Sequence, residues 1–151
     1  MKHPPTPDSA PSSLSKSNQE FLKNLKTEYP EFSFKLGPKF LFRPRKTIYY
    51  LEEDSNFRLL LLHELAHALL GHFSYETSLE RLEIERDAWE KTEKLCKAYS
   101  IPYLEEFAEE ELDTYRNWTH QKTLCKNCGL TCIEIDLKHL YCPFCQKTYK
   151  K

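Results

Sequence analysis

The chain has 151 residues, 40% of them hydrophobic and 13% aromatic, and a formal net charge of −1. That length supports one core with a small appendage, the composition excludes a wholly disordered chain, and near-neutrality excludes a global field that draws the protein to nucleic acid. No apolar run reaches the ~20 residues of a membrane span and no apolar leader with a small-residue cleavage site opens the chain, so a cytoplasmic protein without membrane contact is expected.

Residues 1–18, MKHPPTPDSAPSSLSKSN, are rich in Pro and Ser and poor in apolar side chains, which predicts a disordered tail. A short helix follows over Glu20–Glu28, with Phe21, Leu22 and Leu25 on one face and Pro30 ending it. In EFSFKL, Phe32, Phe34 and Leu36 alternate with Ser33 and Lys35, the period of a half-buried strand. Phe40 and Phe42 repeat the alternation in KFLFRP, and the Gly37-Pro38 pair between the two runs predicts a turn. KTIYYLEE reads as a third strand of a short antiparallel sheet. In the loop after it, Asp54, Ser55 or Asn56 caps the next helix.

That helix, Phe57–Leu70, is apolar on nearly every face and is expected to be the buried central helix, stopped by Gly71. A long helix spans Ser78–Tyr99. Ser100 and Pro102 then open another over 101–118, with Leu104, Phe107, Ala108, Leu112, Tyr115 and Trp118 at helical spacing and an acidic opposite face. From Lys122 the chain is a short Cys-rich module. The expected division is a tail over 1–18, an α+β domain over 19–120 and the module over 121–151.

Within the central helix, His63, Glu64 and His67 form H-E-x-x-H. Positions i and i+4 share a helix face about 6 Å apart along the axis, so both imidazoles can converge on one ion. Glu64 is then placed to act as general base on a water that zinc acidifies to a pKa of about 7. Unpaired charge on a buried helix is costly, and a bound metal relieves that cost. The third ligand comes from the next helix. Leu82, Trp89, Thr92 and Cys96 make an inward stripe that includes position 85, a glutamate, whereas Glu83, Asp87, Glu90 and Lys94 gather on a polar face. An inward Glu85 needs a partner, either zinc or an inward arginine. His72 follows His67 by five residues, beyond Gly71; a metzincin would place its third histidine at 73, which is Phe73. His72 is therefore expected beside the site or at the helix terminus rather than on the metal. Tyr75, His72 and Tyr115 are the candidates for stabilising a developing oxyanion.

Cys125, Cys128, Cys142 and Cys145 form two C-x-x-C pairs. Without a secretion signal this pattern reads as metal binding, and four thiolates suit a closed, tetrahedral, structural zinc. A module of ~30 residues lacks the core to fold without such a staple. Thr131, Ile133 and Ile135 alternate in an expected hairpin between the pairs. Cys132 and Cys96 read as small buried hydrophobes, and His139 as a strand residue. The module carries six Lys/Arg against two Asp/Glu. With Tyr141, Phe144 and Tyr149 these lysines suit a nucleic-acid surface, and equally a solvated face.

HELAH followed by ERDAW resembles the gluzincin pattern H-E-x-x-H … E-x-x-A. RLLLLHELAHALLGH preceded by TIYYLEE resembles the ImmA/IrrE family of metallopeptidase domains over about residues 20–100. The C-terminal module resembles a zinc ribbon. The resemblance implies a zincin-like fold, His63, His67 and Glu85 on a catalytic zinc, Glu64 as base, and a regulatory protein, such as a transcriptional repressor, as substrate. Trp89 stands where the family commonly has a small polar residue. The SprT-like proteases also join H-E-x-x-H to a zinc ribbon and act near DNA, but their third ligand is usually a later histidine. Here only His120 lies between His72 and the ribbon cysteines, on the acidic helix. A non-catalytic adaptor or sensor that keeps its metal for structure is the remaining alternative; it has no use for Glu64.

Overall fold

The computed structural model describes residues 14–43 and 45–151. They form a mixed α+β fold: α1 (Lys16–Glu28), β1 (Ser33–Leu36), β2 (Leu41–Arg43), β3 (Thr47–Tyr50), α2 (Phe57–Leu70), α3 (Ser78–Tyr99), α4 (Glu105–Thr123), β4 (Ile133–Asp136), β5 (His139–Cys142) and β6 (Lys147–Lys150). Among these residues no helix is long and apolar enough to cross a membrane.

Of the expected tail, residues 1–13 lie outside the described residues. The rest is folded, because α1 starts at Lys16 rather than Glu20. Ser15 caps it by accepting the Asn18 amide at 3.2 Å, which satisfies one of the four orphan donors of the first turn. Leu14 packs into the core, and the Gln19 side chain donates to its carbonyl at 2.8 Å. A polar composition hides such a cap.

The first sheet has the order β1-β3-β2. β2 is antiparallel to β3, but β1 is parallel to it, so the sheet is mixed and not the antiparallel one expected. Gly37 does not turn one paired strand into the next. Its N–H donates to the Tyr50 carbonyl at 2.9 Å, extending the β1–β3 ladder. A Cβ there would stand 3.0 to 3.3 Å from the Tyr49 side chain, so only glycine lets the chain pass this close to β3. β2 then runs along the far edge of β3. Alternation reports which face a strand buries, not which strand it pairs with. β3, flanked on both edges, carries the buried Thr47, Ile48 and Tyr50.

The central helix α2 has the expected bounds. It packs on β2 and β3, on α1 and most extensively on α3, and Leu61, Leu62 and Leu65 are wholly buried, each stabilising the fold by about 1.5–3 kcal/mol. Asn56 is its N-cap without a side-chain bond, while Asp54 accepts the Asn56 amide at 2.7 Å. Gly71 ends it in the left-handed region, φ 69°. α3 also has the expected bounds, but α4 does not. Ser100 closes α3 at φ 55°, with the Ile101 amide turned back to the Cys96 carbonyl at 2.9 Å. Pro102 disfavours helical backbone at Ile101, so α4 waits until Glu105 and runs on to Thr123.

The C-terminal sheet is an antiparallel meander, β4-β5-β6. The expected alternation is inverted here: Ile133 and Ile135 are 58% and 55% exposed, and the side chain turned inward is Glu134, 7% exposed. Its carboxylate accepts the Ser78 amide at 2.6 Å and the Ser78 hydroxyl at 2.9 Å, and pairs with Lys151. The module is thus fastened to the N-terminus of α3.

Candidate metal centres

Two groups of side chains among the described residues can hold a metal ion: His63 with His67 and Glu85, and Cys125 with Cys128, Cys142 and Cys145. The first group is assembled by α2 and α3. His63 and His67 sit one turn apart, and their Nε2 atoms are 3.2 Å from each other. Glu85 Oε2 lies 3.4 Å from each of them. An ion bound at ~2.0–2.1 Å by tetrahedrally arranged ligands separates those ligands by about 3.3–3.4 Å. The spacing therefore fits a small divalent metal.

The outer ring nitrogens support the same reading. His63 Nδ1 is 3.4 Å from the Thr92 hydroxyl, which itself donates to the Ala88 carbonyl at 2.7 Å. The hydroxyl hydrogen is committed, so Thr92 accepts from His63 and leaves the Nε2 lone pair for a metal. His67 Nδ1 is 3.0 Å from His72 Nδ1. The turn at Gly71 produces this contact, because the His72 amide folds back onto the His67 carbonyl at 3.1 Å. His72 stands outside the ligand group and beside it. Trp89 stacks on His63, centroids 4.0 Å apart; its indole N–H is buried without a partner.

Charge in the site follows from its surroundings. Burial lowers His63 to a pKa of about 4, so it is neutral as a ligand must be. Burial works to raise Glu85, but its contacts with His63 and His67 outweigh this and hold the carboxyl well below the ordinary range. Burial raises Glu64 to about 7. Glu64 Oε2 accepts the Phe42 amide at 2.6 Å, so that N–H faces away from β3 and toward α2. The site opens into a cleft of about 650 Å³ walled on one side by Lys39–Phe42 and on the other by Arg81, Glu85, Glu111 and Tyr115, with Tyr75 also on its lining. The Phe42 bond, the Thr92 support and Arg81 were not foreseen. Thr92 and Arg81 were legible as inward neighbours of Glu85; the Phe42 contact depends on the sheet order.

In the second group, Cys125 Sγ is 3.9 Å from Cys145 Sγ and Cys128 Sγ is 3.6 Å from Cys142 Sγ. All are free thiols, and a disulfide would need about 2.05 Å. Metal bonds of ~2.3 Å in a tetrahedron give about 3.8 Å between sulfurs. The pairs are built alike: Asn127 donates its amide to Cys125, and Cys145 to Cys142, each at 3.4 Å. Left-handed residues, Gly129 and Gln146, follow them. The Cys128 backbone amide does most to lower Cys125, to about 5, the direction a thiolate ligand requires. The buried Tyr149 hydroxyl faces the thiols, and its contact with Cys125 does most to raise its pKa. As expected, Cys132 and Cys96 are buried, and His139 is a β5 residue bonded to Asp136 at 2.9 Å. No protein-family model, curated protein or solved structure matches the chain, so the function is read from the two centres themselves.

Proposed function

We propose that the chain is a zinc-dependent metallo-endopeptidase with a zincin-like catalytic domain and a zinc ribbon, acting on an intracellular regulatory protein. The observation that carries this reading is the convergence of His63 Nε2, His67 Nε2 and Glu85 Oε2 beside a glutamate that is not a ligand, Glu64. Two neutral imidazoles and a carboxylate suit zinc. When bound, zinc supplies a Lewis acid and lowers the pKa of water toward neutrality.

The chain's own groups do the rest. The Phe42 amide holds one Glu64 oxygen and leaves the other for the attacking water. Burial favours the protonated form of Glu64, which suits it to take the water's proton and return it to the departing amine. β2 is an edge strand, and residues 39–42 line the cleft. An extended peptide aligned beside β2 is carried past Glu64. The four-thiolate centre is structural, because it leaves no open ligand position. The likeness of HELAH and ERDAW to the ImmA/IrrE pattern supports the same reading and a regulatory substrate. A SprT-like arrangement fits less well, because His120 is exposed on α4 and outside the ligand group.

The test is digestion of a peptide pool from a whole proteome, with new termini read by mass spectrometry. Zinc-loaded wild type is expected to create new termini, and Glu64→Gln at equal zinc content is expected to create them about 100- to 10,000-fold more slowly, the worth of a general base. Equal cleavage by Glu64→Gln, or none by wild type, sinks the peptidase reading.

A further inference from the structure

Arg81 stands on α3 one turn before Glu85, so the two side chains share a face, and both line the cleft. Three aromatic rings surround its guanidinium, with centroids 5.3 Å away at Tyr75, 5.2 Å at Tyr115 and 4.8 Å at Trp118. Rings cover the faces of a guanidinium and leave its N–H edge for polar partners; the Tyr115 hydroxyl takes up one of those N–H groups and no carboxylate among the described residues pairs with the rest. Arg86 and Arg116, on the same pair of helices, both have carboxylate partners within 3 Å. Arg81 makes no ion pair among the described residues, although Glu85 and Glu111 line the same cleft. An arginine held half-buried by rings, facing a cleft without its own counter-ion, is set to accept one from a ligand.

We propose that Arg81 selects the substrate: it pairs with a carboxylate about one helical turn from the His63–His67–Glu85 group. This rests on the peptidase reading for its substrate class, but the pairing itself is a binding property. The four residues from Arg81 to Glu85 rise about 6 Å along the helix, and an extended chain advances ~3.3 Å per residue. The carboxylate therefore belongs to an acidic side chain one or two residues from the cleaved bond, or to a C-terminus at that distance. Planar fork geometry makes arginine suited to this task, and the ring walls keep it from swinging away to solvent.

The test uses N-acetylated octapeptide pools with one fixed position, Asp or Glu in some and the uncharged isosteres Asn or Gln in others, each made with a free and an amidated C-terminus. Zinc-loaded wild type is assayed for cleavage, and Glu64→Gln for binding of fluorescein-labelled pools by anisotropy. The acidic pools are expected to bind and be cut about tenfold better than their amide counterparts, the worth of one charge-assisted hydrogen-bonded pair. Arg81→Met, which keeps the stem and loses the N–H groups, abolishes that preference; Arg81→Lys keeps part of it. A preference set by the free C-terminus, lost on amidation, identifies the terminal carboxylate as the ligand. One that survives amidation identifies the side chain.

Equal handling of acidic and amide pools, together with equal handling of free and amidated C-termini, overturns the role of Arg81 and leaves the peptidase reading standing. So does an acidic preference that survives in Arg81→Met. If wild type cuts no pool while Glu64→Gln still binds the acidic ones selectively, the peptidase reading falls and the carboxylate site stands. Comparing Asp with Asn and Glu with Gln in the wild-type protein needs no variant, so a folding defect in Arg81→Met cannot obscure the result.

Discussion

Glu134→Ala removes the carboxylate that fastens the C-terminal module to α3. In the folded protein this side chain is 7% exposed and accepts two hydrogen bonds from Ser78, at 2.6 and 2.9 Å. Hydrogen bonds to a charged group contribute about 1.5–3 kcal/mol each. The pair therefore contributes roughly 3 kcal/mol after part of Ser78 regains water. The loss also leaves the Lys151 ammonium without its partner. For a chain of this length ~3 kcal/mol lowers Tm by about 6–12 °C. Glu134→Gln keeps the shape and one acceptor but not the charge, and it is expected to lose about half as much. The assay is urea denaturation and calorimetry of the zinc-loaded proteins. A Glu134→Ala stability within about 0.5 kcal/mol of wild type would show that the bonds to Ser78 do not anchor the module.

Other outcomes follow from the metal sites. Thr92→Val deletes the hydroxyl behind His63 Nδ1 and frees the ring to change tautomer, so affinity at the His63–His67–Glu85 centre is expected to fall about 10- to 100-fold. Affinity at the four-cysteine centre is unchanged, and chelator competition separates the two. In metal-free protein, Glu64 binds its proton more tightly when folded, with its pKa raised to about 7 from 4.5. Below pH 4.5 the group therefore costs the fold nothing, and the penalty is complete above about 7. Wild type should accordingly lose on the order of 3 kcal/mol relative to Glu64→Gln between pH 4 and 8; parallel stability curves for the two proteins refute the burial of that carboxyl. Gly37→Ala pushes a Cβ to 3.0 Å from the Tyr49 ring, and thermal melting should show a loss of about 1–3 kcal/mol.

The residues that converge were legible because helical spacing is a local property. His63 and His67 share a face by their spacing alone, and Glu85 stood out as an acid on an apolar stripe of a helix whose bounds were also legible. Contacts made by backbone, or between distant elements, were not. The Phe42 amide meets Glu64 only because β2 lies on the outer edge of β3, and alternating phenylalanines carry no information on strand order. Glu134 was hidden for a related reason. In β4 the isoleucines look like the buried set, but the module's core is its cysteine cluster with Leu140. That leaves the glutamate face free to meet Ser78. Likewise the start of α1 turned on one serine cap within a polar stretch, and the start of α4 on the backbone constraint of Pro102.

The central claim is that Glu85 joins His63 and His67 on one metal ion while the four cysteines hold another. Native mass spectrometry of zinc-loaded protein tests it most directly. Wild type is expected to carry two zinc ions per chain. Glu85→Ala and the His63→Ala/His67→Ala double variant are each expected to carry one at a zinc concentration that just saturates wild type, and the ion that remains should be lost on replacing Cys125 and Cys128. A single zinc in wild type, or two retained after the histidines and Glu85 are replaced together, contradicts the claim.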